Sequence, residues 1–149
     1  MIISTKCQYA LRAVYEIARA ESGTVVTIGD VAKAQHVPQR YLEGIMNQLR
    51  KGEVLEAQRG RHGGYKLARN PKEITVGDVV RVIDGPIRAV TCVEETKATD
   101  CPMRENCVFL PTWQEVQTAI DHAMDASNFE QLVQMERESK SFGNTNYVI

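Results

Sequence analysis

Three cysteines stand within 16 residues, as Cys92-x8-Cys101-x5-Cys107, in a chain that has four. Thiolates are soft ligands that select zinc, copper(I) or an iron–sulfur cluster. Structural zinc sites usually pair cysteines about two to four residues apart, and no such pair occurs here. The wider spacing suits a cluster, whose metal atoms lie farther apart; zinc and redox-switching free thiols are the alternatives. A four-coordinate site needs one more ligand. Cys7 is the available sulfur, 85 residues upstream, although a lone cysteine is more often a small apolar core residue. His122 falls on a helix, where a core, interface or surface role suits it better than ligation. His36 falls in a tight connection and reads as structural.

A second set of residues could hold a polyanion. Net charge is −1 overall, yet residues 1–91 carry 14 Lys/Arg against 9 Asp/Glu, and residues 92–149 carry 4 against 10. Residues 33–72 hold 9 basic and 3 acidic side chains. Such asymmetry points to nucleic acid for the N-terminal half. Within it, Arg40, Glu43, Asn47 and Arg50 recur at i, i+3, i+7 and i+10, one face of a helix. These are residue types that read base edges: Arg guanine, Asn adenine, Glu cytosine. Gln39 and Tyr41, at the start of the same helix, complete the candidate DNA-contacting set there. A glycine-rich stretch, Arg59-Gly60-Arg61-His62-Gly63-Gly64, adds Arg59, Arg61 and His62. Glycine lets backbone approach closely, and arginines suit a narrow minor groove. No Gly-Lys-Ser/Thr follows, so this is no nucleotide-phosphate loop.

The elements that must position these groups are legible in outline. Tyr9, Ala10, Ala13, Val14, Ile17 and Ala18 repeat at helical spacing, and Gly23 ends that helix. Val25-Val26-Thr27 allows a brief strand. Thr27 or Gly29 opens a short helix, Asp30–Gln35, with Ile28, Val31 and Ala32 inward. Pro38 fits a first-turn position before a third helix, Gln39–Lys51, that buries Tyr41, Leu42, Ile45, Met46 and Leu49. Two strands, Val54–Ala57 and Tyr65–Ala68, enclose the glycine-rich tip as a hairpin. Thr75 caps a helix from Val76 to Ile83, stopped by Asp84-Gly85-Pro86. Residues 86–110 show no periodicity and hold the three cysteines; loops of that length are commonly functional.

A long helix from Pro111 to Ala126 follows, then a short one, Phe129–Glu136, capped by Ser127, and a polar tail from Ser139. On the long helix Trp113, Val116, Ile120 and Ala123 form an apolar stripe suited to pairing with a second copy, and symmetric dimers are the commonest oligomers.

Three helices followed by a hairpin is the order of a winged helix–turn–helix. The expected class is mainly α with a small β-hairpin and a long C-terminal dimerisation helix. The expected organisation is a DNA-binding domain (1–85), a cysteine-bearing sensor loop (86–110), a dimerisation helix with a short last helix (111–138) and a flexible tail (139–149). Composition is ordinary for a globular chain, at 43% apolar and 25% charged. No apolar run is long enough to span a membrane, and the N-terminus lacks signal-peptide character. The expected compartment is therefore the cytoplasm, where thiols stay reduced. No nucleophile–base pair, cofactor fingerprint or paired carboxylates mark an enzyme, so no catalytic residue is assigned.

On these residues the chain resembles the Rrf-two family of winged-helix transcriptional regulators, in its iron–sulfur cluster-binding branch. The likeness covers about residues 1–135. It is carried by Thr5-Lys6…Tyr9-Ala10-Leu11, Val37-Pro38…Tyr41-Leu42-Glu43…Leu49-Arg50, Arg59-Gly60…Gly63-Gly64-Tyr65-Lys66-Leu67, Thr75-Val76-Gly77-Asp78-Val79 and the three cysteines. The resemblance implies a homodimer crossed by the long helix and bound to a palindromic double-stranded operator. It also implies a [2Fe–2S] or [4Fe–4S] cluster on Cys92, Cys101 and Cys107, near the partner subunit's first helix, whose state sets DNA affinity. Three positions depart from the family pattern. The first cysteine gap is longer than usual, Leu110 stands where some members have histidine, and Gln8 stands where others have an acidic ligand. A cluster-free thiol-switch or metabolite-responsive repressor of the same fold is the alternative.

Overall fold

Thr5–Arg19 forms the first helix (α1), and the rest of the N-terminal domain is assembled around it. The computed structural model describes residues 3–93 and 101–143. Ser4 caps α1, its hydroxyl oxygen accepting from the Cys7 amide at 3.0 Å. Cys7, Ala10, Ala13, Val14 and Ile17 are its buried positions, a helical stripe with small residues where neighbours approach. Ile28–Gln35 (α2) starts with a reciprocal capping box: Thr27 accepts from the Asp30 amide, and the Asp30 carboxylate accepts from Thr27. Gln39–Lys51 (α3) has the bounds its spacing predicts. Pro38 occupies the cap position of α3 instead of its first turn.

Leu55–Gln58 (β1) and Gly64–Leu67 (β2) pair antiparallel, with Leu55 opposite Leu67 and Ala57 opposite Tyr65. Glu56 and Lys66 face each other across the ladder and pair at 3.2 Å. Val25–Thr27 contributes only a single bridge, Val26 to Tyr65. A Cβ on Gly64 would stand 2.5 Å from the Val26 carbonyl oxygen, so that approach requires glycine. Val76–Asp84 (α4) carries a second capping box, between Thr75 and Asp78. Leu110–Asp125 (α5) and Phe129–Gly143 (α6) are the last helices among the described residues. Between α4 and α5 the cysteine segment includes short 3-10 turns at Thr91–Val93 and Arg104–Asn106; its residues 94–100 lie outside the described part.

The main core gathers Val14, Ile17, Val31, Leu42, Ile45, Leu49, Leu55, Val79 and Phe129 from α1, α2, α3, α4, α6 and the hairpin's first strand, with Val54 and Ile74 from the connections. Each such side chain contributes about 1.5–3 kcal/mol through burial. A smaller cluster of Cys7, Val80 and Ile87 receives Ile120 and Met124 from α5. This is a winged helix–turn–helix with a long helix appended.

Several expectations need correction. Tyr41 is half exposed, because its ring stacks at the surface against Tyr9 instead of entering the core. α2 begins at Ile28, since Thr27 caps it. Asn128, not Ser127, caps α6: its side-chain oxygen accepts from the Gln131 amide at 3.0 Å, and the Gln131 side chain accepts from the Asn128 amide. α6 runs on to Gly143, past both the expected end at Glu136 and the start of the expected tail. The tail residues 144–149 lie outside the described part. Glu53, after α3, holds a left-handed φ of 57°. Glu53→Gly removes that strain and is expected to raise stability by about 0.5–1 kcal/mol in denaturant unfolding; a loss of stability would mean that its side chain has a role outweighing the strain.

Candidate functional site

α3 is amphipathic in the sense the site requires. Leu42, Ile45, Met46 and Leu49 are buried beneath it, which turns Arg40, Glu43, Asn47 and Arg50 outward together. Arg50 Nη2 donates to Asn47 Oδ1 at 3.1 Å. Arg40 Nη2 donates to the Tyr41 hydroxyl at 3.1 Å, and its guanidinium carbon sits 4.8 Å from the Tyr41 ring centroid. Gln39 is exposed at the first turn. Arg59, Arg61 and His62 are all exposed at the hairpin tip. There Gly60 takes a positive φ of 112°, and the Gly63 amide donates to the Gly60 carbonyl at 2.9 Å.

Arg69 was missed in the sequence. With Arg50 and Arg59 it lines a groove of about 800 Å³ between the end of α3 and the hairpin, and it is also paired with Asp78 at 3.6 Å. Its placement after β2 was the available signal.

The thiols are placed differently from one another. Cys92 is half-buried in its 3-10 turn, which packs on α5. Cys101 is exposed and Cys107 half-buried, on either side of the second 3-10 turn. The Arg104 amide donates to the Cys101 carbonyl at 3.2 Å, and the Leu110 amide donates to the Cys107 carbonyl at 3.2 Å. Gln117, which the sequence reading did not single out, fixes the start of this segment. Its Nε2 donates to the Ile87 carbonyl at 2.9 Å, and its Oε1 accepts from the Ala89 amide at 3.0 Å. Among the described residues no three Cys, His, Asp or Glu side chains stand together as a metal site. The donors nevertheless fit a cluster in kind: three soft sulfurs at or near the surface, on turns held by few hydrogen bonds.

Cys7 does not share that setting. It is fully enclosed, and burial, with the Asp84 carboxylate beside it, pushes its thiol up to about 11. The folded thiol keeps its proton to higher pH than the unfolded one. Its contribution to stability is therefore present below the ordinary thiol range and fades as pH rises toward 11. An alkylating reagent at neutral pH is expected to label Cys92, Cys101 and Cys107 in the folded apo chain and Cys7 only on unfolding. Equal labelling of all four in the native state would contradict the enclosure. His36 closes α2 in a left-handed conformation at φ 52°, and His122 is exposed on α5.

The stripe on α5 divides between two surroundings. Ile120 turns into the small inner cluster. Val116 is 38% exposed and Ala123 is also exposed. Trp113 is half-buried, its ring 6.4 Å from that of Phe109, which is 62% exposed. An ion-paired joint holds the far end of α5 to α4: Arg81 Nη2 donates to Asp125 Oδ1 at 2.6 Å, and Thr75 Oγ1 donates to the same oxygen at 3.2 Å. The Arg81 hydrogen bond keeps the Asp125 carboxyl below the usual carboxylate range, so this joint weakens as pH falls into that range. No helix among the described residues is long and apolar enough to cross a membrane.

Comparison with known proteins adds three results. A family model named Rrf2, described as an iron-dependent transcriptional regulator, matches residues 3–135. A putative HTH-type transcriptional regulator of Mycobacterium tuberculosis is 47% identical over 90 residues, which are 60% of this chain and 56% of that relative. The chain thus spans little more than half of that protein's length. The HTH-type transcriptional regulator CymR of Bacillus subtilis is 30% identical over 132 residues, 89% of each chain. Its solved structure, described as that of the global cysteine regulator, superposes with a TM-score of 0.72 at 27% identity, covering 91% of this chain and 98% of that one. The structure described as T. potens IscR superposes at 0.70 with 28% identity, covering 93% and 90%. The relatives carry the names of transcriptional regulators, not enzymes.

Proposed function

Because the chain belongs to the Rrf2 family, we propose that it is a DNA-binding transcriptional regulator whose operator affinity is set by an iron–sulfur cluster on Cys92, Cys101 and Cys107. One observation carries the DNA reading: the outward side of α3, with Arg40, Glu43, Asn47 and Arg50, adjoins an arginine-bearing hairpin. α3 enters the major groove, with Arg40 and Asn47 at base edges. Arg59, Arg61 and His62 reach the neighbouring groove or phosphates, and Arg50 with Arg69 neutralises phosphate between them. Working in the cytoplasm, the protein acts as a homodimer joined through the outward side of α5, on a palindromic operator. Phe109, Trp113, Val116 and Ala123 form the seam, while Ile120 supports it from within.

The donor chemistry and the iron-dependent description of the family model support the cluster. When bound, such a group supplies a redox-active and chemically labile centre. The chain's own part is to hold three thiolates on turns that pack against α5, whose inner side meets Cys7 and Val80 in the small cluster under α1 and α4. Loop order thereby reaches the domain that carries α3. The likeness to a protein described as the global cysteine regulator favours one second reading, a thiol switch using the same cysteines without metal.

Anisotropy titration of labelled duplexes tests the DNA claim. Binding is expected to weaken steeply as salt rises, with a slope reflecting several phosphates; no binding at low salt would overturn it. Val116→Glu tests the seam. Its side chain faces solvent in one chain, so the fold should persist while sedimentation shifts from dimer to monomer. An intact dimer would remove this face from the interface.

A further inference from the structure

A groove of about 720 Å³ runs between the start of α1 and the side of α3, next to the outward face described above. Its walls are mostly carbon. Tyr9 and Tyr41 line it together, their ring centroids 6.3 Å apart and their planes 41° from parallel. Ile45, almost fully buried, lies along it. Gly44 leaves the middle open: a Cβ built there meets nothing within 4 Å. Two cations, Lys6 and Arg40, stand at the groove, and no carboxylate lines it. Neither forms an ion pair with any described residue, whereas Arg19, Arg69 and Arg81 all do. Gln48 also lines the groove, and its Oε1 is buried without a hydrogen-bond partner. A buried polar atom left unpaired is costly, and this carboxamide can turn toward a donor without giving up an existing bond through that oxygen.

From these features we propose that the groove is a binding site for a small aromatic anion, and that its occupancy opposes DNA binding. A flat ring packs beside the tyrosine pair, whose rings already touch each other, and offset or edge-on packing of aromatic rings is favourable. A carboxylate meets Lys6 and Arg40 in a partly enclosed, cation-only setting. A hydroxyl or ring N–H on the ligand supplies the donor that Gln48 lacks. The volume falls within the range of small-molecule sites, and mostly apolar walls with a few placed polar groups are their usual make-up. The link to DNA follows from Arg40. Its guanidinium now rests on Tyr41; a bound carboxylate neutralises it and holds it at the groove, away from bases and phosphates. This second half rests on the DNA reading of α3, and the first half does not.

The test uses the full chain with para-hydroxybenzoate as probe, and benzyl alcohol and acetate as controls, each titrated by calorimetry and by ligand-observed NMR. Saturable binding of para-hydroxybenzoate is expected, with both controls weaker by about tenfold or more, since one lacks the charge and the other the ring. Gly44→Leu fills the middle of the groove and should abolish binding; thermal unfolding checks that this variant is folded. Lys6→Gln, at an exposed position, should weaken binding by about tenfold and serves as the second variant if Gly44→Leu fails to fold. No saturable binding at millimolar probe, or undiminished binding in the folded variants, would overturn the site. The probe should also raise the apparent Kd for duplex DNA in the parent. Probe binding without that rise would overturn the coupling alone. Failure of the chain to bind DNA without probe would instead count against the proposed function, leaving the site to be judged by calorimetry.

Discussion

Arg40→Ala and Arg59→Ala are each expected to weaken binding to a specific operator by about 1–3 kcal/mol, and the double variant by roughly the sum. The expectation of additivity comes from placement: Arg40 opens the outward face of α3, and Arg59 starts the hairpin tip, with no hydrogen bond linking them among the described residues. The two losses differ in kind. Arg40, beside Asn47 and Glu43, is expected to read a base, so its removal relaxes preference at one position of the operator. Arg59 borders a groove shared with Arg50 and Arg69, so its removal lowers affinity more evenly across sequences and reduces the salt slope by about one. Anisotropy titrations against a selected operator and single-base variants separate these outcomes. Unchanged affinity in both variants would remove this surface from the interface.

Phe129→Ala is the substitution expected to cost most in stability, about 3–5 kcal/mol. Phe129 is 1% exposed and is the largest of the fully buried side chains. It begins α6, and its amide donates to the Ile74 carbonyl at 3.1 Å, beside the Thr75–Asn128 bridge. α6 then lies against α1, where Arg19 reaches Glu136 at 3.1 Å. Removing the ring opens a cavity where the C-terminal helix enters the N-terminal core, and a domain of this size has only about 5–15 kcal/mol to lose. The urea midpoint should fall accordingly. A loss below about 1 kcal/mol would mean that α6 is not an integral part of this core.

The N-terminal domain was legible because local signals agreed with packing. α3 came out with its true bounds: Pro38 before it and Gly52 after it punctuate a strong apolar period. Both capping boxes, at Thr27 and Thr75, are short-range sequence patterns that need no tertiary context. Tyr41 shows the limit of periodicity, which places an aromatic ring on the apolar side without saying whether it enters the core or lies on its edge. Tyr9, 32 residues away, decides that. On α5 one stripe divides between two surroundings. Helical spacing cannot distinguish Ile120, which supports its own domain, from Val116, which faces outward. α6 outran its expected end because polar pairs such as Glu136–Lys140 and Gln134–Glu138 extend a helix where apolar periodicity has stopped.

The candidate site divides along the same line. The α3 face and the hairpin arginines were readable from residue type and spacing alone. Gln117 and the Arg81–Asp125 joint were not, because each acquires its role from a partner distant in sequence, whereas the position of Arg69 just after β2 was a signal left unused. The enclosure of Cys7 beside Asp84 was likewise not legible in the sequence.

The proposed cluster control rests on three loop sulfurs, and one measurement addresses it most directly. Iron and acid-labile sulfide are determined per chain, with an absorption spectrum, on protein purified or reconstituted without oxygen, for the parent and for the Cys92→Ala/Cys101→Ala/Cys107→Ala variant. The account predicts a brown parent with stoichiometric iron and sulfide, and a colourless variant that is folded and holds neither. A colourless parent after reconstitution, or a variant that retains iron and sulfide like the parent, would contradict it.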